Sequence, residues 1–123
     1  MGDLIRGRPI VAGEAAGLVL ASGEPLSFWG GYDHVSGEIT DRRHPLSGMV
    51  AAGRVLVVPF SRGSSTTTAV LLEAARVGTA PAAIVTTGVD SFFALASIVA
   101  RALYGRAIPV VAVTPADVTR LHT

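Results

Sequence analysis

In the second half of the chain, continuous apolar runs alternate with stretches whose apolar residues recur every three to four positions. The run RVLVVPF, residues 54–60, is apolar and rich in β-branched residues after Arg54, the pattern of a strand buried on both faces. Pro59 has no N–H for a ladder, so pairing is expected to stop there. In TTTAVLLEAARVG, residues 66–78, Val70, Ala74 and Val77 fall at i, i+4 and i+7 with Leu71 and Ala75 beside them. That spacing predicts a helix with a wide apolar face, and Gly78 is suited to end it. AAIVTT, residues 82–87, predicts a second strand. Asp90 or Ser91 can cap the helix that follows, in which Leu95, Ile98, Val99, Ala102 and Leu103 form an apolar stripe. Gly105 closes it, and IPVVAV, residues 108–113, predicts a third strand. Two β-α-β units in series imply parallel strands, right-handed crossovers and helices packed on the sheet.

The first half follows another rhythm. Two apolar stretches, about 4–12 and 15–21, are separated by Gly13 and Glu14 and read as strands. Residues 27–48, SFWGGYDHVSGEITDRRHPLSG, are mostly polar and rich in glycine, a long excursion with at most a short strand at EIT. Loops of that length inside a compact domain are usually functional. The expected fold is therefore α/β: one β/β/α domain over residues 1–123, β-rich in its N-terminal half, followed by β-α-β-α-β with parallel strands.

Composition narrows the function classes. The chain has 123 residues, half of them hydrophobic and 15% charged, with a net charge of +1. A near-balanced charge gives no electrostatic case for nucleic acid or an anionic membrane as partner. So apolar a chain is expected to turn part of its surface to a partner subunit. There are no cysteines, which excludes disulfides and thiolate-held metals within the chain. The three histidines, His34, His44 and His122, lack close metal-ligand spacing, so no metal site is expected. No apolar run reaches bilayer length. Asp3, Arg6, Arg8 and Glu14 interrupt the N-terminus, which is unlike a signal peptide. A soluble, cytoplasmic protein is expected.

The chemistry concentrates at SRGSSTTT, residues 61–68, where five hydroxyl residues run from Ser64 to Thr68. The segment joins a strand end to a helix start. The first N–H groups of a helix lack intrahelical partners, and the helix dipole adds partial positive charge, so such a junction suits an anion. Gly63 permits close backbone approach to a ligand. Arg62 can make a bidentate contact with carboxylate or phosphate, and Ser64, Ser65, Thr66 and Thr67 can donate to anionic oxygens. The plainer reading is that Ser64 or Ser65 caps the helix and the other hydroxyls lie at the surface. One or two hydroxyls suffice for capping, and threonine is an indifferent helix former. The segment lacks the Gly-Lys-Ser/Thr ending of a phosphate-binding loop and the glycine that follows the serine of a nucleophile elbow.

The excursion holds the only tryptophan, Trp29, together with His34, His44, Asp33, Asp41, Arg42 and Arg43. Turns are expected at Gly30-Gly31 and Ser36-Gly37, with Phe28 and Trp29 anchoring the loop. Its aromatic and arginine content also suits a contact surface. His44 precedes Pro45 and is restricted toward extended backbone; it can line a site or serve packing. Asp90 follows a strand end, the edge where parallel α/β sheets bind ligands, and is equally suited to cap a helix.

Several motifs in order give a more specific reading. GLVLAS, EPLSFWGG, GEI and DRRHPLSG, followed by GRVLVVPFSRGSST and EAARVGTAPAAIV, resemble the small, swivel-domain subunit of the aconitase X family, from about Gly13 to Val113. The resemblance implies a swivelling β/β/α domain that closes over the active site of a two-subunit hydro-lyase. It implies a cysteine-containing large subunit as partner, which holds an iron–sulfur cluster, with no cofactor bound by this chain and a small anionic substrate. By position, Ser65 is implied as the catalytic base, with Ser64 as second choice. Arg62, Gly63, Ser64, Thr66 and Thr67 are implied in substrate binding. This chain departs from the family in carrying Phe60 and Ser61 where serine and glycine are common, and Thr67 and Thr68 where glycine and serine are common. Two substrates follow from the resemblance, cis-3-hydroxy-L-proline and phosphomevalonate, and the arginine- and alanine-rich composition leans toward the first. A non-catalytic interaction module remains the alternative of another class. A phosphohistidine carrier would need a histidine in residues 59–68, and there is none.

Overall fold

The computed structural model describes residues 5–62 and 65–121. Gly63, Ser64 and His122 lie outside the described residues. In chain order the elements are β1 (Arg8–Val11), β2 (Val19–Ala21), β3 (Leu26–Ser27), β4 (Val55–Val57), β5 (Ser61–Arg62), α1 (Ser65–Val77), β6 (Ala83–Thr86), α2 (Ser91–Tyr104), β7 (Val110–Ala112) and α3 (Pro115–Val118). Five strands form one sheet in the order β1-β7-β6-β4-β2, and β3 pairs with β5 in a separate two-stranded sheet.

Within the large sheet β2, β4, β6 and β7 are parallel, as the two β-α-β units predict, and β1 closes the edge antiparallel to β7 with a register shift between Pro9 and Val11. One row of the register explains the hydrophobic pattern. Val11, Val110, Ile84, Leu56 and Leu20 stand side by side across all five strands, and all are buried. Burying a side chain of this size contributes roughly 1.5–3 kcal/mol. Both helical crossovers step in the same direction, from β4 to β6 and from β6 to β7. Right-handed connections then place α1 and α2 on the same face, where they pack against each other.

The strand expected over 54–60 is divided in two. β4 ends at Val57, Val58 N still donates to Val85 O at 3.1 Å, and pairing in the large sheet stops at Pro59 as its missing N–H requires. The chain then pairs again as β5, against β3. Gly78 and Gly105 lie at positive φ, 88° and 67°, at the ends of α1 and α2, where a Cβ would be strained.

The buried face of α2 differs from the expected stripe. Phe93, Ala96, Ser97 and Ala100 point inward, while Leu95, Ile98 and Leu103 are 51%, 56% and 63% exposed. The helix is apolar nearly all round, so periodicity offers two faces. Tertiary packing selects the smaller one: Ala96 and Ala100 permit close approach, and Ser97 satisfies buried backbone. Its Oγ donates to Ile108 O at 2.5 Å and accepts from Ile108 N at 2.8 Å. In α1 the inward residues are Thr67, Leu71, Ala74 and Ala75, with Val77 left exposed.

The excursion contributes to the same core. Phe28, Tyr32, Ile39 and Leu46 are buried in it. The Phe28 ring stacks on Tyr32 at 4.9 Å and meets Phe93 of α2 edge-on at 5.5 Å. Phe28 therefore anchors the loop and Trp29 does not, being 73% exposed. The strand expected at EIT reduces to the isolated bridges Glu38↔Val50 and Tyr32↔Ile39.

Candidate functional site

The helix-start segment leaves the C-terminal end of β4 and is tied down at each step. Pro59 O accepts from Thr87 N at 3.1 Å and from Thr87 Oγ1 at 3.2 Å. Phe60 O accepts from Leu26 N at 3.4 Å. Ser61 and Arg62 pair in parallel with Leu26 and Ser27. Ser61 is buried and donates twice to Asp90 Oδ2, from N at 2.7 Å and from Oγ at 2.8 Å. Arg62 is exposed at the end of this tether, and Ser65, the first residue of α1, is exposed too.

The run of hydroxyls divides among different surroundings. Ser65 faces solvent and Thr66 is half-buried. Thr68 Oγ1 donates to Phe92 O at 3.1 Å and links α1 to the start of α2. Thr67 is 1% exposed, and its Oγ1 has no hydrogen-bond partner among the described residues. Thr67 lies on the inward face of α1 with Leu71, Ala74 and Ala75. Its hydroxyl is shielded from solvent in this chain, unlike the expected surface donor. The expected contributions of Gly63 and Ser64 fall outside the described residues.

Asp90 caps α2. Its Oδ1 accepts from Phe92 N at 3.0 Å and Phe93 N at 3.1 Å. It also lies beside the Arg62 segment, through Ser61. Sequence reasoning missed its partner Ser61, which carried no signal beyond its position next to Arg62.

His44 serves packing. Its Nδ1 accepts from Leu46 N at 3.1 Å and its Nε2 lies 3.2 Å from Glu24 O, so the ring joins the excursion to the segment before β3. The fixed acceptor at Nδ1 places the proton on Nε2. Tyr32 is buried, its hydroxyl donates to Thr79 O at 2.8 Å, and burial pushes its phenol well above the ordinary range. Exposed Asp33 accepts from Val35 N at 2.8 Å and Ser36 Oγ at 3.0 Å, and these bonds hold its carboxyl below the ordinary value.

An open groove of about 480 Å³ lies at the ends of β6 and β7, lined by Arg6, Arg8, Thr87 and Thr114 among others. It adjoins the site through Thr87. Among the described residues no group of three or more histidines, aspartates or glutamates could hold a metal ion, and no cysteine is present. The residues of this chain therefore do not fit an iron–sulfur cluster. No helix among the described residues is long and apolar enough to cross a membrane.

A parallel β-α-β-α-β sheet, a small second sheet and a tethered helix start that exposes an arginine and a serine class this chain as a β/β/α domain built around one loop. Sequence comparison gives its particular kind. The aconitase X swivel domain matches residues 4–123, and the chain belongs to that family. It is 50% identical over 107 residues to cis-3-hydroxy-L-proline dehydratase of Pseudomonas aeruginosa, covering 87% of this chain and 18% of that protein. It is 41% identical over 93 residues to the phosphomevalonate dehydratase small subunit of Methanothermobacter thermautotrophicus, covering 76% of this chain and 71% of that one. Its fold superposes on the crystal structure of Thermococcus kodakaraensis aconitase X (holo-form) with a TM-score of 0.87 at 35% identity, over 99% of this chain and 87% of that chain. The chain thus spans about a fifth of the length of the hydroxyproline dehydratases it resembles.

Proposed function

We propose that this chain is the swivel component of a hydro-lyase of the aconitase X type, that it works with a larger cysteine-containing chain, and that it dehydrates cis-3-hydroxy-L-proline. The observation that carries this reading is the tethered segment Ser61–Arg62 leading into the exposed Ser65 at the start of α1. The 50% identity to a cis-3-hydroxy-L-proline dehydratase supports the substrate.

Dehydration removes a proton from the carbon beside a carboxylate and hydroxide from the neighbouring carbon. This chain serves the first half. Arg62 binds the carboxylate. Ser65 Oγ, as alkoxide, takes the proton and becomes a hydroxyl. Serine is a poor base at its free pKa; a nearby cation and the positive end of the helix dipole favour its charged form. Gly63 permits close approach, and Ser64 and Thr66 donate to substrate oxygens. Thr67 enters the site only if the loop reorganises with substrate. An iron–sulfur cluster in the larger chain would supply the Lewis acidity that hydroxide departure needs.

A second reading is the small subunit of a phosphomevalonate dehydratase, to which the chain is 41% identical over 93 residues. Relatives of that description are small chains of which this one covers most. The experiment is co-expression with the larger chain and parallel assay of both substrates, for wild type and Ser65→Ala. Turnover of cis-3-hydroxy-L-proline is expected, with kcat reduced roughly 10²–10⁴-fold in the variant, the usual contribution of a positioned base. Ser65 is exposed, so the variant keeps its fold. Full activity in Ser65→Ala would reduce the chain to an interaction module, and turnover of phosphomevalonate alone would move the substrate to the second reading.

A further inference from the structure

We infer that Asp90 is the positioning residue of this site: one buried carboxylate clamps the strand that carries Arg62 onto the first turn of α2. The inference rests on the reading of Arg62 and Ser65 given above. Asp90 is 7% exposed and takes four hydrogen bonds, divided between its two oxygens. Oδ1 receives Phe92 N and Phe93 N and completes the cap of α2. Oδ2 receives Ser61 N and Ser61 Oγ, from 29 residues earlier in the chain.

Capping accounts for the first oxygen only. Serine, threonine or asparagine caps a helix about as well as aspartate. A carboxylate alone accepts on both oxygens with no N–H or O–H of its own, and bonds to a charged acceptor are the stronger ones. The second oxygen is therefore the part of Asp90 that the cap does not require, and it is spent on the residue next to Arg62. The other ties reach the same segment from different sides, Thr87 at Pro59 and Leu26 at Phe60, but Asp90 is the one that grips the residue adjoining Arg62 by both backbone and side chain. The backbone bond forms with any residue other than proline at position 61; the Oγ bond needs a hydroxyl side chain.

Asp90→Asn separates the two roles. Asparagine Oδ1 still caps α2, while its Nδ2 can donate to the Ser61 hydroxyl but cannot accept from Ser61 N, so the backbone half of the clamp is broken. Asp90→Ser, a good cap too short to reach Ser61, takes its place if Asp90→Asn does not fold. Two readouts are made: amide exchange of Ser61 in the full chain, and kcat and KM in the complex with the larger chain. The expected result is at least a tenfold loss of Ser61 protection with the Leu71 amide unchanged, and a kcat at least tenfold lower. Ser61→Ala, which keeps the N–H bond, should lose less than threefold. Retained Ser61 protection overturns the inference, as does an unchanged kcat in a variant that has lost it. If the wild-type complex turns over neither substrate, the lyase reading fails, and amide exchange still decides whether Asp90 holds this loop.

Discussion

Individual side chains in the excursion show how a polar stretch is held to a fold. Phe28 is buried between Tyr32 and Phe93, while its neighbour Trp29 is left outside. The two are equally apolar in sequence, and alternation along the chain can send only one inward. Gly31 could not be another residue without movement, since a Cβ there would lie 1.9 Å from Ser27 O. Asp33 makes a local turn with Val35 N and Ser36 Oγ that lowers its pKa, the Val35 bond first. A carboxylate depressed in the folded state contributes stability that is fully present above its unfolded pKa, near 4. That contribution is lost as pH falls through the folded value. Asp33→Asn should therefore show a shallower loss of stability on acidification below about pH 4 than wild type, read as denaturant midpoints across that range. The effect will be small because the group is exposed.

At the scale of elements, α2 is the instructive case. Its start and stop were legible: Asp90 caps it through Oδ1, and Gly105 ends it in the left-handed conformation. Its orientation about its own axis was not, because Phe93, Ala96 and Ala100 compete with Leu95, Ile98 and Leu103 for the same role. The chosen face is the one that fits α1 and gives Ser97 to the Ile108 backbone. Two substitutions separate the faces. Ala96→Leu should destabilise by about 1–3 kcal/mol through overpacking, while Ile98→Gln should stay within about 0.5 kcal/mol, as surface changes do. Thermal or denaturant melts of the two variants check this, and equal losses would mean that both faces are packed. Similar logic covers α1, where Thr67 faces inward and Val77 outward.

For the whole molecule, the main consequence concerns what the chain can do without a partner. It has no cysteine and spans about a fifth of the hydroxyproline dehydratases it resembles. Under the proposed function the isolated chain should dehydrate neither cis-3-hydroxy-L-proline nor phosphomevalonate. Activity should appear only on adding the larger chain, in titrations that saturate at a fixed ratio of the two. Turnover by the purified chain alone would sink the two-component reading. Leu18, Trp29, Phe60, Leu95, Ile98 and Leu103 are exposed large apolar residues of this chain.

Much of this protein is written locally. The alternation of β4, α1, β6, α2 and β7 follows from runs and periods in the sequence, while β3, β5 and α3 do not, and the ends follow from residues with single physical consequences: Pro59 without its N–H, Gly78 and Gly105 free to take positive φ, Asp90 able to cap. The lack of a thiolate ligand is likewise a matter of composition. Contacts between distant segments came from tertiary structure only. Packing chose the inward face of α2, brought Leu26–Ser27 beside Ser61–Arg62, drew Thr67 into the interior and set Ser61 on Asp90. The reason is physical: a helix or strand is specified by neighbours within a few residues, whereas the partner of a buried polar group is whichever distant group the closed core leaves within reach.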